Sequence, residues 1–119
     1  MNFLSIDCSS QIGSLFIKFE NKTFSKVLQS DKFINDLLVK HILDFIIKNH
    51  LKFEDLDQIF VNQGPGSFSG IRTSIAVAKG LSITSKLSLY GFNSYDLKDM
   101  NYMNIILLYQ FDDTKFIKK

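Results

Sequence analysis

Apolar residues recur at every second position through the first part of the chain and at three- and four-residue intervals after it. Phe3 to Ile6 is a short apolar run, and Ile12 to Phe19 alternates through Ser14, Phe16 and Lys18, so both predict strands. Asn21-Lys22, between Glu20 and Thr23, predicts a turn into a third strand from Thr23 to Gln29, and the three strands form an antiparallel meander. Ser30 or Asp31 caps a long helical pattern that ends near Asn49. Leu56 to Val61 returns as a strand, a small-residue helical pattern runs from Thr73 to Thr84, and Leu87 to Tyr90 is a further strand. Strands that alternate with helices in the second half require parallel pairing with crossover connections. The prediction is an α/β fold of βββαβαβ order with a mixed sheet over residues 1–94. Residues 95–119 form a separate tail, a short helix from Tyr95 to Met100 and a hairpin from Asn104 to Ile117.

The first helix is unusual in its pattern. At about 100° per residue, Phe33, Ile34, Leu37, Leu38, Val39, Ile42, Leu43, Phe45, Ile46 and Ile47 project almost all round its axis. Lys32, Asp36, Lys40, Asp44 and Lys48 recur every fourth position and leave only a narrow polar row. One sheet face cannot cover such a helix, so it is expected to be buried on two sides. In the second helix Ala76 and Gly80, four apart, let another helix come close, either inside the domain or from a partner.

Between the two helices lies Gln63-Gly64-Pro65-Gly66-Ser67-Phe68-Ser69-Gly70-Ile71-Arg72, a strand-to-helix turn. Its glycines permit positive φ and close approach of another backbone, and Pro65 rigidifies it. Ser67 or Ser69 is placed to cap the following helix, whose first N–H groups then face whatever lies in front of the loop. The spacing G-x-G-x-x-x-G is neither the dinucleotide fingerprint nor a Walker A loop. A structural turn and a phosphate site both remain open on these residues.

Three ordered segments resemble the TsaB (YeaZ) family, the non-catalytic partner in bacterial synthesis of threonylcarbamoyladenosine in tRNA. Phe3-Leu4-Ser5-Ile6-Asp7-Cys8-Ser9-Ser10 is similar to the family's opening strand. Gly64 to Arg72 is similar to its G-P-G-S-F-T-G-[LIV]-R, with Ser69 for the usual Thr, and Ala76-Val77-Ala78-Lys79-Gly80-Leu81 is similar to A-x-A-[KQ]-G-[LI]. The resemblance covers about Met1 to Ser94. It implies the ribonuclease H-like lobe of the actin and heat-shock ATPase superfamily, with 95–119 as the start of a second lobe. It further implies a catalytically silent subunit, without cofactor or metal, that binds a TsaD-like catalytic subunit and self-pairs when alone. Pairing would use the two helices as half of a four-helix bundle, with Leu37, Leu38, His41, Ile42 and Phe45, and Ala76 with Gly80, at the interface. It also implies contact with a TsaE-like ATPase. The catalytic relatives carry a metal-binding H-x-x-x-H, whereas here His41 is followed four residues later by Phe45.

Composition changes this picture little. The 119 residues and 45% hydrophobic content suit one core. The net charge of +2, with lysines dispersed among acids, predicts only indirect contact with tRNA. One cysteine, no signal-peptide pattern and no long apolar run predict a cytoplasmic, non-membrane protein. Asp7 with Ser9 and Ser10 either holds a metal-bound phosphate or accepts hydrogen bonds from its own turn. The first option, with the Gly64 to Gly70 loop, is the alternative reading of a nucleotide-binding ATPase or kinase relative. Arg72 is suited to a phosphate, a partner carboxylate or a local salt bridge. Cys8 is expected to behave as a small apolar residue, His50 as a helix C-terminal residue, and Phe16, Phe45 and Phe60 as core.

Overall fold

Strands β1 (Phe3–Asp7), β2 (Gly13–Phe19) and β3 (Lys22–Leu28) form the antiparallel half of a sheet in the computed structural model, which describes residues 2–10, 13–28 and 34–94. The chain then crosses over through α1 (Ile34–Lys48) to β4 (Gln58–Asn62), and through α2 (Phe68–Thr84) to β5 (Ser88–Phe92). β4 pairs parallel with both β1 and β5, giving the order β3-β2-β1-β4-β5. The predicted βββαβαβ order is therefore the observed one. The expected caps at Ser30 or Asp31, the first residue of the second strand at Ile12, and the helix and hairpin after Ser94 lie outside the described residues.

β4 starts at Gln58 and not Leu56, β5 ends at Phe92 and not Tyr90, and two further boundaries differ from expectation for local reasons. The hairpin turn is Glu20-Asn21, one residue earlier than expected, because Phe19 pairs with Lys22. Glu20 takes the positive φ, 55°, that so tight a turn requires, and its N–H donates to Asn2 Oδ1 at 2.7 Å. α2 begins at Phe68 and not Thr73, since Ser67 acts as its cap and accepts from the Gly70 amide. α1 ends in a pair of bonds, His50 N–H to the Ile47 carbonyl and Leu51 N–H to that of Ile46, with His50 at φ 61°. This is the Schellman closure, carried here by histidine in place of glycine.

Side-chain alternation divides the sheet into two faces. Leu4, Ile6, Leu15, Ile17, Ile59, Val61 and Leu89 meet the helices in the main core, where Leu38, Ile42, Phe45 and Ile46 supply the inner side of α1. The opposite face carries Phe3, Phe60 and Phe92, packed with Phe16 and Tyr90. Phe60 lies edge-on to Phe3 at 5.4 Å and stacks on Tyr90 at 5.2 Å.

Candidate functional site

β1 and β4 are adjacent and parallel, and both end in a polar residue, so Asp7 and Asn62 stand side by side where the sheet stops. Each closes a turn on itself. Asp7 Oδ1 accepts from the Ser9 amide at 3.0 Å and its hydroxyl at 2.7 Å, and Asn62 Oδ1 accepts from the Gly64 amide at 2.7 Å. These are two Asx turns built on neighbouring strands. Asn62 Nδ2 joins them, donating toward Asp7 Oδ1 and Ser9 Oγ at 3.2 Å each and Ser94 Oγ at 3.3 Å. The Ser94 hydroxyl donates its own hydrogen to the Pro65 carbonyl at 2.7 Å. Asn62 is fully buried, so this network fixes the relative height of the two turns.

The glycine loop is pressed onto the end of β1. Ser67 N–H donates to the Ser9 carbonyl at 2.6 Å. A Cβ on Gly66 would overlap that same carbonyl oxygen, and one on Gly70 would overlap the oxygen of Cys8. Gly64 holds φ at 105° and precedes a cis peptide bond to Pro65. Gly66 and Gly70 are thus accounted for by contact between the two turns, and Gly64 by its positive φ. Asp7 accepts two hydrogen bonds from Ser9 in its own turn. Arg72 lies over the ring of the exposed Phe68 at 5.2 Å, and the two border an open depression with Ser69, Thr73 and Ala76. Burial pushes the Cys8 thiol up to about 11, with the Asp7 carboxylate adding to it, which leaves a buried, unreactive group. Among the described residues no cluster of three or more His, Cys, Asp or Glu is placed to hold a metal, and no helix is long and apolar enough to cross a membrane.

The helix residues assigned to an interface separate into two sets. Leu38, Ile42 and Phe45 are 1%, 0% and 3% exposed and sit in the main core, so they do not form an outer face. α1 presents them to the sheet because they lie within one arc with Ile46. Leu37 is exposed and His41 half-buried. The exposed apolar positions of α1 are Leu37 together with Val39, Leu43 and Ile47, a stripe at four-residue spacing, and those of α2 are Phe68 and Ile83. Ala76 and Gly80 lie on the exposed side of α2, and a Cβ on Gly80 would meet nothing within 4 Å.

Asn62 and Ser94 were not singled out from the sequence. The available signal was a polar residue closing the apolar run Ile59 to Val61, with glycine two positions on.

Strand order, two helices on one face and paired turns at the ends of β1 and β4 define a ribonuclease H-like α/β lobe. YeaZ from Pseudomonas aeruginosa superposes with a TM-score of 0.72 at 22% identity, over 77% of this chain and 43% of that one. RuvC from Thermus thermophilus shares the fold at a TM-score of 0.58 and 10% identity, over 92% of this chain and 78% of that one. A family model described as TsaD, tRNA N6-adenosine threonylcarbamoyltransferase, matches residues 32–101. The tRNA threonylcarbamoyladenosine biosynthesis protein TsaB of Buchnera aphidicola from Baizongia pistaciae is 30% identical over 80 residues, 67% of this chain and 36% of the relative. An uncharacterized protein of Mycoplasma genitalium is 30% identical over 96 residues, 76% of this chain and 48% of its own length. The chain belongs to the TsaB/YeaZ family. It spans less than half the length of these curated relatives.

Proposed function

We propose that this chain is a non-catalytic subunit in the synthesis of threonylcarbamoyladenosine in tRNA, docking on a TsaD-like catalytic subunit through the outer sides of α1 and α2. The observation that carries the reading is the exposed apolar stripe: Val39, Leu43 and Ile47 are 44%, 40% and 68% exposed, and Ile83 on α2 is 63% exposed. Apolar residues in that number on two packed helices are the kind of surface a second helix pair covers. The open side of Gly80 adds a position where a foreign helix approaches closely. Catalytic silence is supported by the way the turns use their polar groups: Asp7 and Asn62 act on the chain's own backbone and on each other.

Size exclusion with light scattering of this chain mixed with the TsaD-like protein of the same source tests the reading. A stable one-to-one complex at micromolar concentration is expected. Separate elution, with this chain dimeric by itself, would sink it in favour of a self-pairing protein that uses the same stripe.

A further inference from the structure

Three of the lysines dispersed through the sequence, Lys22, Lys26 and Lys48, come together along one seam of the fold. Lys22 and Lys26 lie on edge strand β3, on the same side as Phe24, because all three share the parity of that strand. That side faces α1, which packs against β3. Where β3 meets the C-terminal end of α1 there is a groove of about 320 Å³ with Phe19 and Phe24 in its wall and Lys22, Lys48 and His50 around it. Among the described residues lining this groove none carries a carboxylate. Further along the seam the carboxylate is Asp44, already paired with Lys40 at 3.0 Å. That hydrogen bond chiefly holds the Asp44 carboxyl low, with Lys26 across the seam and His41 on the same helix acting in the same direction. Among the described residues facing the seam, Lys22, Lys26 and Lys48 therefore outnumber Asp44, which Lys40 already pairs.

We propose that the seam between β3 and α1 binds single-stranded RNA directly, with phosphates on Lys22, Lys26 and Lys48 and a base against Phe24. The shape and the chemistry agree. Lys22 and Lys26 stand about 13 Å apart along the strand, a span of backbone and not of a single anion. A groove at the small end of ligand sites has room for one nucleobase and not for a folded domain. Aromatic walls beneath a cationic rim are what a nucleotide meets in single-strand binders, where ring stacking supplements phosphate contact. Lys48 and His41 lie about 100° or more around α1 from Val39, Leu43 and Ile47, so RNA and a docked protein partner occupy different sides of the helix. The choice of RNA as the polyanion rests on the tRNA-modification reading, and the binding itself does not.

The full-length chain titrated into a labelled single-stranded oligoribonucleotide, followed by fluorescence anisotropy, tests this without the catalytic partner. Saturable binding is expected, weakening between about 50 and about 200 mM salt with a log–log slope near −2, as three phosphate contacts on a single strand give. Lys22→Glu with Lys48→Glu should weaken it at least about tenfold and flatten the slope. Lys86→Glu, in the exposed turn before β5, should change it less than about twofold, and Phe24→Leu should weaken it while keeping the slope. Circular dichroism confirms that each variant is folded. The proposal is overturned by absence of saturable binding, by an equal loss with Lys86→Glu, or by polyglutamate competing as well as RNA. A chain that binds RNA but does not co-elute with the catalytic subunit would sink the subunit reading and leave this one standing.

Discussion

Asn62 shows how one buried side chain sets the geometry of a whole sheet end. Its Oδ1 is the acceptor for the buried Gly64 amide, and its Nδ2 reaches the other turn at Asp7 and Ser9. Asn62→Ala removes all of these at once and leaves the Gly64 N–H without a partner in the protein. Leaving a buried donor unmet costs about 1–3 kcal/mol, and losing the link to Asp7 adds to that, so a loss of about 2–4 kcal/mol is expected in urea unfolding. A loss below about 0.5 kcal/mol would mean that the loop contacts of Gly66 and Gly70 hold the turns without it. Cys8 makes a second prediction at this scale. Its folded value, about 11, is raised from the ordinary 9.0, so the folded thiol keeps a proton that the unfolded one releases. The contribution of Cys8 is therefore complete below pH 9 and is lost as pH rises toward 11. Urea midpoints should fall between those limits, and Cys8→Ala should fall less. Equal falls in the two proteins would show that the thiol ionises alike in both states.

At the scale of elements, α1 divides its apolar residues between two duties. Ile42→Glu places a charge in the core beside Leu38 and Phe45 and is expected to unfold the chain. Ile47→Glu, at a position 68% exposed, should change stability by no more than about 0.5 kcal/mol yet abolish co-elution with the catalytic subunit. If Ile47→Glu still binds, the interface lies off this stripe. The same helix marks where the sequence was least legible. β1, β2 and β4 were readable because each has an apolar run or alternation bounded by turn residues, and the glycine loop was readable from its spacing. α1 has apolar residues around nearly its whole circumference, so periodicity reported a helix without reporting its inner side. That is why Leu38 and Ile42, expected outside, are found inside, and why Phe45, read both as core and as interface, is found in the core. Burial depends on where the sheet lies, and no local pattern encodes that. The start of α2 was obscured in a similar way, because Gly70 in its first turn is a poor helix former that is present for contact with the Cys8 carbonyl. Pairing of Asn62 with Asp7 joins residues 55 apart in sequence, beyond the reach of any window.

The described residues form one sheet with helices on one side and an aromatic cluster on the other, and the turns after β1 and β4 meet each other. A nucleotide site at this end of the sheet would need free backbone N–H groups and an uncommitted carboxylate facing outward. Here the Ser67 amide donates to Ser9, the Gly64 amide to Asn62 and the Gly70 amide to the Ser67 hydroxyl. Asp7 Oδ1 receives the Ser9 amide, the Ser9 hydroxyl and Asn62. Gly66 and Gly70 owe their lack of side chains to the carbonyls of Ser9 and Cys8, so the loop's composition requires no phosphate to explain it. Isothermal titration of the full chain with Mg-ATP is accordingly expected to give no saturable heat up to about 1 mM, the concentration at which a site would contribute only about 4 kcal/mol of binding free energy. A one-to-one isotherm in the micromolar range would require the turns to open and release those amides. Asp7 and Ser9 would then have to lose their mutual hydrogen bonds on binding, and the chain would have to be read as a nucleotide-binding relative.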